Sequence, residues 1–345
     1  MSASDPPGPS IAATLIARDE ARGNARCLAS LRPWVDRLIV LDTVSTDATM
    51  QLARAGGAEV HQLAWPGDFS AARNHALDLA DADWNVVVDA DEWVMAGGEL
   101  LRDWCSGPPR LGRVCIHNAF ESGGGETATS RSWITRILPR GARFRGRVHE
   151  QVPADLPREP VGLHLGHDGY LPAQLAGKRG RNLPLLLRDL EDNPGDPYIA
   201  YQLGREAEGD ADFAAACDRY AQSLDATPAR ANWRHELVHR YLHCLGQAGR
   251  LQDALALAER EMPAYPDSPD VFFVVGNLLL DRALSDPAQA VDHWLPLAVS
   301  AWERCLAIGE RPALEGSVDG RGSHLAQHNL DVVRAQLALL GGRTE

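Results

Sequence analysis

The sequence predicts an α/β domain with a mostly parallel sheet and helices on both faces, followed by an all-α domain of helical repeats. Between Ile11 and Glu92, nearly continuous apolar runs alternate with amphipathic stretches, as in sheets that are buried on both faces. After about residue 180, strand signals nearly vanish, and predicted pairs of helices recur with prolines between the pairs. We therefore predict two domains, 1–179 and 180–345.

The first half of the α/β domain contains four predicted strands: Ile11–Ala17, Arg37–Asp42, Ala58–Leu63 and Trp84–Val88. Helices are predicted from about Asn24 to Leu31, from after Asp47 to Gly56, and from an N-cap at Ser70 to Ala80. Ligands in parallel sheets bind at the carboxyl ends of the strands. The residues that follow these strands are therefore the first candidates for a site.

After Glu92 the alternation of strands and helices ends. Three further strands, Arg113–Phe120, Trp133–Leu138 and Val161–Leu165, follow without intervening helices and predict an antiparallel extension of the sheet. Helix pairs are expected over Asp196–Leu224 and Trp233–Met262, with a further pair from Asp270. Several residues of the first pair lie near the spacing of a tetratricopeptide repeat: Tyr198, Tyr201, Leu203, Gly204, Ala214, Tyr220, Ala221, Leu224 and Pro228. A plain helical bundle is the alternative.

Composition and charge narrow the function classes. The chain has 345 residues, 45% of them hydrophobic and 23% charged, which is typical of globular proteins. Its formal net charge of −13 argues against a nucleic-acid partner, because phosphate binding needs a basic surface. The start of the chain does not resemble a signal peptide, and the longest apolar stretch, Val271–Leu280, is too short to span a bilayer. We expect a cytoplasmic protein without a membrane span.

The six cysteines are scattered and form no CxxC pair, so neither a zinc knuckle nor a disulfide framework is indicated. We expect them to be buried as small apolar residues in a reducing compartment.

The strongest chemical signal is a buried strand that ends in three carboxylates, Asp89, Asp91 and Glu92. Such a cluster is electrostatically unfavourable unless a cation lies there. Mn²⁺ and Mg²⁺ prefer oxygen ligands and bridge to diphosphates. Alternate spacing places Asp89 and Asp91 on one side of the extended chain, so one can contact a sugar nucleotide while the other holds the metal. An ordinary turn is the alternative.

Other strand ends carry further candidates. Asp42 precedes Ser45 at the end of the second strand, and Arg18 and Glu20 follow the first strand. Near the third helix, whose dipole favours an anion, lie three more candidates: Asp68, Arg73 and Asn74. Arg73 is the candidate for a diphosphate contact. The first strand is not followed by GxGxxG, which excludes a classical dinucleotide enzyme, nor by the glycine- and lysine-rich loop expected of a nucleotidyltransferase.

Four segments resemble motifs of the inverting family 2 glycosyltransferases, which have the GT-A (nucleotide-diphospho-sugar transferase) fold. They read LIARDEA, LDTVSTD, WPGDFSAARN and VDADE. Two more, Phe144–Gln151 (FRGRVHEQ) and His164–Tyr170 (HLGHDGY), are similar to a branch of that family with helical repeats. This branch includes the sublancin-type peptide S-glycosyltransferases. The resemblance covers about residues 11–228.

The resemblance implies roles for individual residues. Asp42 and Asp89 are expected to contact the nucleoside, and Asp91 and His167 to bind the divalent metal, Mn²⁺ or Mg²⁺. Glu150 is expected to be the general base, with His149 orienting the site. For His167 the alternative is a turn histidine, and for Glu150 an ion pair with a nearby arginine, Arg145 or Arg147. The chain departs from the family pattern at three positions: Asp19, Val44 and Gly67.

These observations predict a transferase that moves a hexose or N-acetylhexosamine from a nucleotide-diphosphate sugar, a UDP-sugar first among them, to an acceptor by metal-assisted inverting displacement. The repeats favour a peptide or protein acceptor, while a saccharide acceptor and a homodimer formed through the repeats stay open. The alternative function is a non-catalytic repeat scaffold with a degenerate sugar-nucleotide domain. Four intact residues argue against that alternative: Asp89, Asp91, Glu150 and His167.

Overall fold

The computed structural model describes residues 8–121, 127–170 and 180–341. The chain forms two compact units, Met1–Asp189 and Leu190–Glu345. The division lies later in the chain than the predicted boundary at 179/180. The reason is that helix α5 (Leu183–Asp192) starts in the first unit, where Arg147 donates to the Asp189 carboxylate through its backbone N–H and through Nη1, both at 2.8 Å.

The described part of the first unit contains an eight-stranded sheet with strand order β3-β2-β1-β4-β7-β6-β8-β5. The strands are β1 (Ile11–Ala17), β2 (Arg37–Asp42), β3 (Glu59–Gln62), β4 (Trp84–Val87), β5 (Glu92–Ala96), β6 (Leu111–Glu121), β7 (Thr127–Pro139) and β8 (Arg158–Tyr170). Strands β1 to β4 run parallel, with β1 between β2 and β4. The apolar runs of β1, β2 and β4 are buried almost throughout, as predicted for central parallel strands.

The second half of the sheet only partly follows the predicted antiparallel extension. Strand β7 pairs antiparallel with β4 and β6, and β5 pairs antiparallel with β8. However, β6 and β8 pair in parallel, because β7 lies on the other side of β6. Strand β5 is not predicted by the sequence pattern, since five residues directly after a turn are too few to show a period.

In the described part of the first unit, helices α1 (Ala21–Leu31), α2 (Thr49–Ala55), α3 (Phe69–Ala80) and α4 (Leu101–Cys105) pack around this sheet. The N-cap of α3 is Asp68 rather than the predicted Ser70. Asp68 Oδ1 accepts from the Ala71 N–H at 2.8 Å, whereas Ser70 lies in the first turn and donates from Oγ to the Gly146 carbonyl at 2.6 Å. Both residue types cap helices, so the sequence alone did not decide between them.

Among its described residues, the second unit contains helices and connecting turns but no strand. Its helices are α6 (Pro197–Gly209), α7 (Phe213–Ala226), α8 (Arg234–Gln247), α9 (Leu251–Glu261), α10 (Pro269–Ser285), α11 (Leu295–Ile308) and α12 (His324–Gly341). Consecutive helices pack against one another, and α8 also packs against α10, the first helix of the next pair. Such pairwise stacking along the chain is how helical repeats bury their apolar faces.

Glycines opposite aromatic rings set the close approach of paired helices. A Cβ added to Gly204 on α6 would lie 2.4 Å from the ring of Tyr220 on α7, and one added to Gly276 on α10 would lie 2.5 Å from Trp302 on α11. Gly204 and Tyr220 are both members of the predicted repeat pattern. The pattern therefore marks residues that pack against each other.

The structure confirms the predicted burial of the cysteines. All six are buried and none is in a disulfide. Burial raises the pKa of the Cys105 thiol to about 12, which makes it an inert packing residue. Among the helices that the structure describes, none is both long and apolar enough to cross a membrane.

Candidate active site

The loops that follow β1 and β2 are joined by side-chain hydrogen bonds. Asp19 Oδ1 accepts from the backbone N–H and Oγ1 of Thr46, at 2.7 and 3.1 Å, and the Asp19 N–H donates to Ser45 Oγ at 2.9 Å. Asp47 Oδ2 accepts from the Ala21 N–H at 3.1 Å. The two loops are thus held side by side at the carboxyl edge of the sheet, where a ligand is expected.

Asp42, the last residue of β2, is completely buried. Its Oδ1 accepts from the Ser45 N–H at 2.9 Å. Its Oδ2 is buried and has no hydrogen-bond partner among the residues that the structure describes. A buried oxygen without a donor is energetically costly. This atom is therefore suited to accept a hydrogen bond from an N–H or O–H group of a ligand.

Val44 follows Asp42 with a backbone conformation that valine rarely adopts. Its φ is 69° and its side chain is exposed. A side chain with a Cβ costs about 1–2 kcal/mol in this left-handed region, whereas glycine adopts it freely but costs roughly 0.5–1 kcal/mol in chain entropy. We expect Val44→Gly to raise the free energy of unfolding by about 0.5–1 kcal/mol, as measured by urea denaturation. Val44→Ala, which keeps the Cβ, should gain less stability than Val44→Gly. A loss of stability in Val44→Gly would contradict the inference that the backbone of Val44 is strained.

Asp89, in the turn that follows β4, is held between two buried arginines. Arg73 on α3 donates from Nη2 to Oδ1 at 2.8 Å, and Arg136 on β7 donates from Nη2 to Oδ2 at 2.6 Å. Burial opposes ionisation of Asp89, but Arg136 and Arg73 outweigh it and hold its pKa well below the usual range. Asp89 is therefore a fixed anion, and its side chain remains 35% exposed, within reach of a ligand.

Glu92 supports this arrangement from a buried position at the start of β5. Its Oε2 accepts from the Asp89 N–H at 2.9 Å, and its Oε1 accepts from Arg136 Nη2 at 3.0 Å. Burial raises the pKa of Glu92 to about 7, with Arg136 opposing and Asp89 reinforcing the shift. Glu92 thus fixes both the backbone of Asp89 and the guanidinium that neutralises it.

Glu150, between β7 and β8, is bound to the same arginine as Asp89. Arg73 donates from Nε to Glu150 Oε1 at 2.7 Å. The alternative ion pair that the sequence allowed for Glu150 is therefore formed with Arg73 and not with the two nearby arginines. Arg147 instead binds Asp189 at 2.8 Å, and the backbone of Arg145 forms a β-bridge with Gln151.

Arg73 has one donor left over. Its side chain is buried, with 8% of the residue exposed, and its Nη1 has no partner in the described part of the chain. Two carboxylates raise the pKa of Arg73 against the opposing effect of burial, so the group is always charged. Nη1 can donate to a further oxygen, as the predicted diphosphate contact requires.

Asp91 and His167 face each other across the β5–β8 pair. His167 Nε2 lies 3.4 Å from Asp91 Oδ2, and His167 Nδ1 lies 2.9 Å from Asn118 Oδ1. Asn118 donates from Nδ2 to Ser132 Oγ at 3.1 Å, which orients its carbonyl oxygen toward the imidazole. Burial lowers the pKa of His167, but the neighbouring Asp91 outweighs it and raises the pKa above its ordinary value.

This pair fits a shared divalent cation. Two ligand atoms about 2.1 Å from one ion and at right angles lie about 3 Å apart, close to the 3.4 Å between Asp91 Oδ2 and His167 Nε2. A histidine ligand also characteristically has its other ring nitrogen hydrogen-bonded, as Asn118 provides. The structure therefore brings together the two residues predicted as metal ligands.

Two predicted nucleotide-sugar residues have structural contacts within the first unit. Asp68 caps α3, as described above. Asn74 donates from Nδ2 to the Phe144 carbonyl at 3.0 Å and accepts at Oδ1 from the Phe144 N–H at 2.9 Å. Asn74 therefore ties α3 to the segment that leads to Glu150, and its predicted contact with the donor stays a prediction.

The remaining predicted residues lie near the edge of the site. Arg18 is exposed, and its Nε lies 3.9 Å from Asp19 Oδ2. The Glu20 N–H donates to Thr49 Oγ1 at 2.8 Å. His149 has a left-handed backbone with φ of 53°, which turns the chain immediately before Glu150. Their predicted roles are left as predictions.

Sequence reasoning missed Arg136 and Asn118. Arg136 lies on a predicted strand that is otherwise mostly apolar, in the order Trp133-Ile134-Thr135-Arg136-Ile137-Leu138. A buried arginine requires a carboxylate partner, so an arginine at this position could have predicted an ion pair with the acidic cluster. Asn118 carries no such signal, because a polar residue near a strand end is common.

Helix α1 touches the acidic turn at Gly23. A Cβ added there would lie 2.8 Å from the Ala90 carbonyl oxygen and 3.1 Å from the Asp91 Cα. Because both are backbone atoms, the turn that carries Asp89 and Asp91 would have to move. We expect Gly23→Ala to lower the free energy of unfolding by about 1–3 kcal/mol, as measured by urea denaturation. Gly209→Ala, on a helix with nothing within 4 Å, is the matched control and should not lower it.

Several known proteins are similar to this chain. The family model described as Glycosyl transferase family 2 matches residues 16–109. A TPR repeat-containing protein of Synechococcus elongatus is 32% identical over 76% of this chain and 67% of its own length. The SPbeta prophage-derived glycosyltransferase SunS of Bacillus subtilis is 25% identical over 87% of this chain and 80% of its own. A solved glucosyl-3-phosphoglycerate synthase of Mycobacterium tuberculosis is 26% identical over 34% of this chain and 46% of its own, with a TM-score of only 0.27.

Proposed function

The chain belongs to the family 2 glycosyltransferases, in a branch with tetratricopeptide-like repeats, and we propose that it transfers a hexose or N-acetylhexosamine from a UDP-sugar. The proposal rests on the polar atoms near the carboxyl edge of β1, β2 and β4. Two of these atoms, Asp42 Oδ2 and Arg73 Nη1, are buried and have no hydrogen-bond partner in the described residues. The side chains of Asp91 and His167 face each other as a candidate pair of metal ligands.

The donor is proposed to bind along this edge. Asp42 Oδ2 would accept a hydrogen bond from the nucleobase or ribose, and the exposed part of Asp89 would contact the nucleoside. Arg73 Nη1, a buried donor without a partner among the described residues, would donate to a diphosphate oxygen. The net negative charge of the acidic turn is locally offset by Arg73 and Arg136, which lowers the repulsion that an anionic donor would meet.

Asp91 and His167 are proposed to hold one divalent cation, Mn²⁺ or Mg²⁺. When bound, such an ion supplies electrostatic stabilisation of the negative charge that develops on the departing diphosphate. Asn118 would keep His167 Nε2 directed at the ion. The donor set of one carboxylate and one imidazole leaves the other coordination positions for diphosphate oxygens and water.

Glu150 is proposed to be the general base that takes the proton from the acceptor. Its Oε1 is fixed by Arg73, which leaves the other carboxylate oxygen for the acceptor. Attack from the side opposite the leaving diphosphate inverts the anomeric centre, and a carboxylate on that side assists the step. The repeat unit favours a peptide or protein as the acceptor; homodimerisation through that unit stays a prediction.

The donor class can be tested by thermal stabilisation of the whole chain with UDP-, GDP- and dTDP-sugars, each with Mn²⁺ or with EDTA. A ligand at a hundred times its dissociation constant adds about 2.7 kcal/mol to the free energy of unfolding. We expect stabilisation by UDP-sugars that disappears in EDTA. No stabilisation by any donor, in protein shown to be folded, would favour the non-catalytic scaffold instead.

A further inference from the structure

A second cluster of metal-binding side chains lies on the same strands as Asn118 and His167. Cys115 and His117 come from β6, and His164 comes from β8, directly opposite Cys115 in the parallel register. One ligand atom from each residue lies within 4.8 Å of the other two. The cluster plays no part in the donor site proposed above.

The cluster and the donor site lie on opposite faces of the sheet. Register between β6 and β8 is regular from Cys115↔His164 to Asn118↔His167, and side chains alternate between faces along a strand. Cys115, His117 and His164 therefore share one face, whereas Asn118 and His167 share the other. A metal ion bound by this cluster would be distinct from the one proposed at Asp91.

The distances fit a tetrahedral ion. With Zn–S of about 2.3 Å and Zn–N of about 2.05 Å, tetrahedral ligands lie about 3.6 Å apart for S and N and about 3.3 Å apart for two N atoms. In the structure, Cys115 Sγ lies 3.7 Å from His117 Nε2, and His117 Nε2 lies 2.9 Å from His164 Nδ1. Only a small separation of the two imidazoles would be needed.

We propose that Cys115, His117 and His164 bind one Zn²⁺ ion. One thiolate and two imidazoles are the ligands that Zn²⁺ prefers, in contrast to the oxygen ligands preferred by Mg²⁺. Three protein ligands leave the fourth position to water. Binding releases the thiol proton of Cys115 to the solvent, so affinity increases with pH.

The ion would join β6 to β8 where their pairing is interrupted on either side. The register shifts between Arg113 and Cys115 and again between Asn118 and Phe120, so this short run is bounded by irregular backbone. The ring of Trp133, on the neighbouring strand β7, lies 6.5 Å from that of His164. A cross-strand metal staple would hold the segment that carries Asn118 and His167 in place.

Cobalt spectroscopy tests the proposal independently of glycosyl transfer. The full chain with Asp91→Asn, which disables the other metal site, is titrated with Co²⁺. We expect one equivalent to produce a thiolate-to-cobalt charge-transfer band in the near ultraviolet, with proton release, and Zn²⁺ to displace it. Cys115→Ser in the same background should lose the band, while Cys105→Ser, a change at another buried cysteine of the first unit, should keep it.

Two results would overturn the proposal: no charge-transfer band in the folded Asp91→Asn protein, or a band that survives Cys115→Ser. If Cys115→Ser does not fold, His117→Gln replaces it, and we expect at least a hundredfold loss of Co²⁺ affinity. Unchanged affinity in folded His117→Gln would also reject the site. A hydrogen-bonded pair of histidines alone predicts neither the band nor the loss.

Discussion

Asp91→Asn is expected to abolish the metal-dependent part of UDP-sugar binding while the fold is retained. The change removes the carboxylate that faces His167 Nε2 at 3.4 Å. Loss of a residue that only hydrogen-bonds to a metal ligand raises the dissociation constant of the metal by up to about a hundredfold. Loss of a charged ligand should therefore raise it by at least about that factor. At a donor and metal concentration that gives wild type about 2.7 kcal/mol of stabilisation, the variant should retain only about 0.4 kcal/mol. Thermal unfolding with and without Mn²⁺ measures the difference.

Two controls separate metal binding from structural damage. In EDTA, Asp91→Asn should unfold close to wild type, because the amide oxygen can still accept a hydrogen bond and one of three clustered carboxylates has been removed. Asp103→Asn, the same chemical change at an exposed position of helix α4, should leave Mn²⁺-dependent stabilisation intact. His167→Ala should reproduce the loss seen in Asp91→Asn, and the double variant should lose no more than either single one, since both contact one ion. Additive losses would contradict a shared ion.

The strand ends of the donor site could be predicted from the sequence because two simple rules act together. Continuous apolar runs locate the buried parallel strands, and the carboxyl ends of such strands meet at one edge. Asp42 is the last residue of β2, and Asp89 and Asp91 lie in the turn that follows β4, so their proximity required no knowledge of the rest of the chain. The structure places Asp42 and Asp89 at that edge, with Asp91 two residues further on.

Pairings between distant segments could not be predicted in the same way. Arg73 and Glu150 are 77 residues apart, and several arginines near Glu150 in sequence were equally suited to it by charge. The choice depends on how α3 packs against the segment after β7, which is set by contacts such as Asn74 with the Phe144 backbone. The sequence indicated which residue types are present, but only the packing decides which of them meet.

Glu150→Gln is expected to reduce kcat by about 10²–10⁴-fold, the usual contribution of a general base, with donor binding little changed. Glutamine is the informative replacement because its amide oxygen can still accept from Arg73 Nε, which donates to Glu150 Oε1 at 2.7 Å. The ion pair becomes a hydrogen bond from the charged guanidinium to a neutral amide oxygen, but the side chain loses the ability to take a proton. Single-turnover rates with saturating donor and Mn²⁺ measure the effect on the chemical step.

Glu150→Ala gives a second comparison that isolates the contact with Arg73. Alanine leaves Arg73 Nε buried without its acceptor, which costs about 1–3 kcal/mol or more for a charged group. Arg73 is then no longer held by Glu150, so both Arg73 and the Asp89 carboxylate that it binds can change position. We therefore expect Glu150→Ala to lose stability and donor affinity as well as kcat, whereas Glu150→Gln loses kcat alone. If Glu150→Gln turns over at the wild-type rate and only Glu150→Ala is impaired, Glu150 holds Arg73 in place, and the proton of the acceptor must be taken by another group.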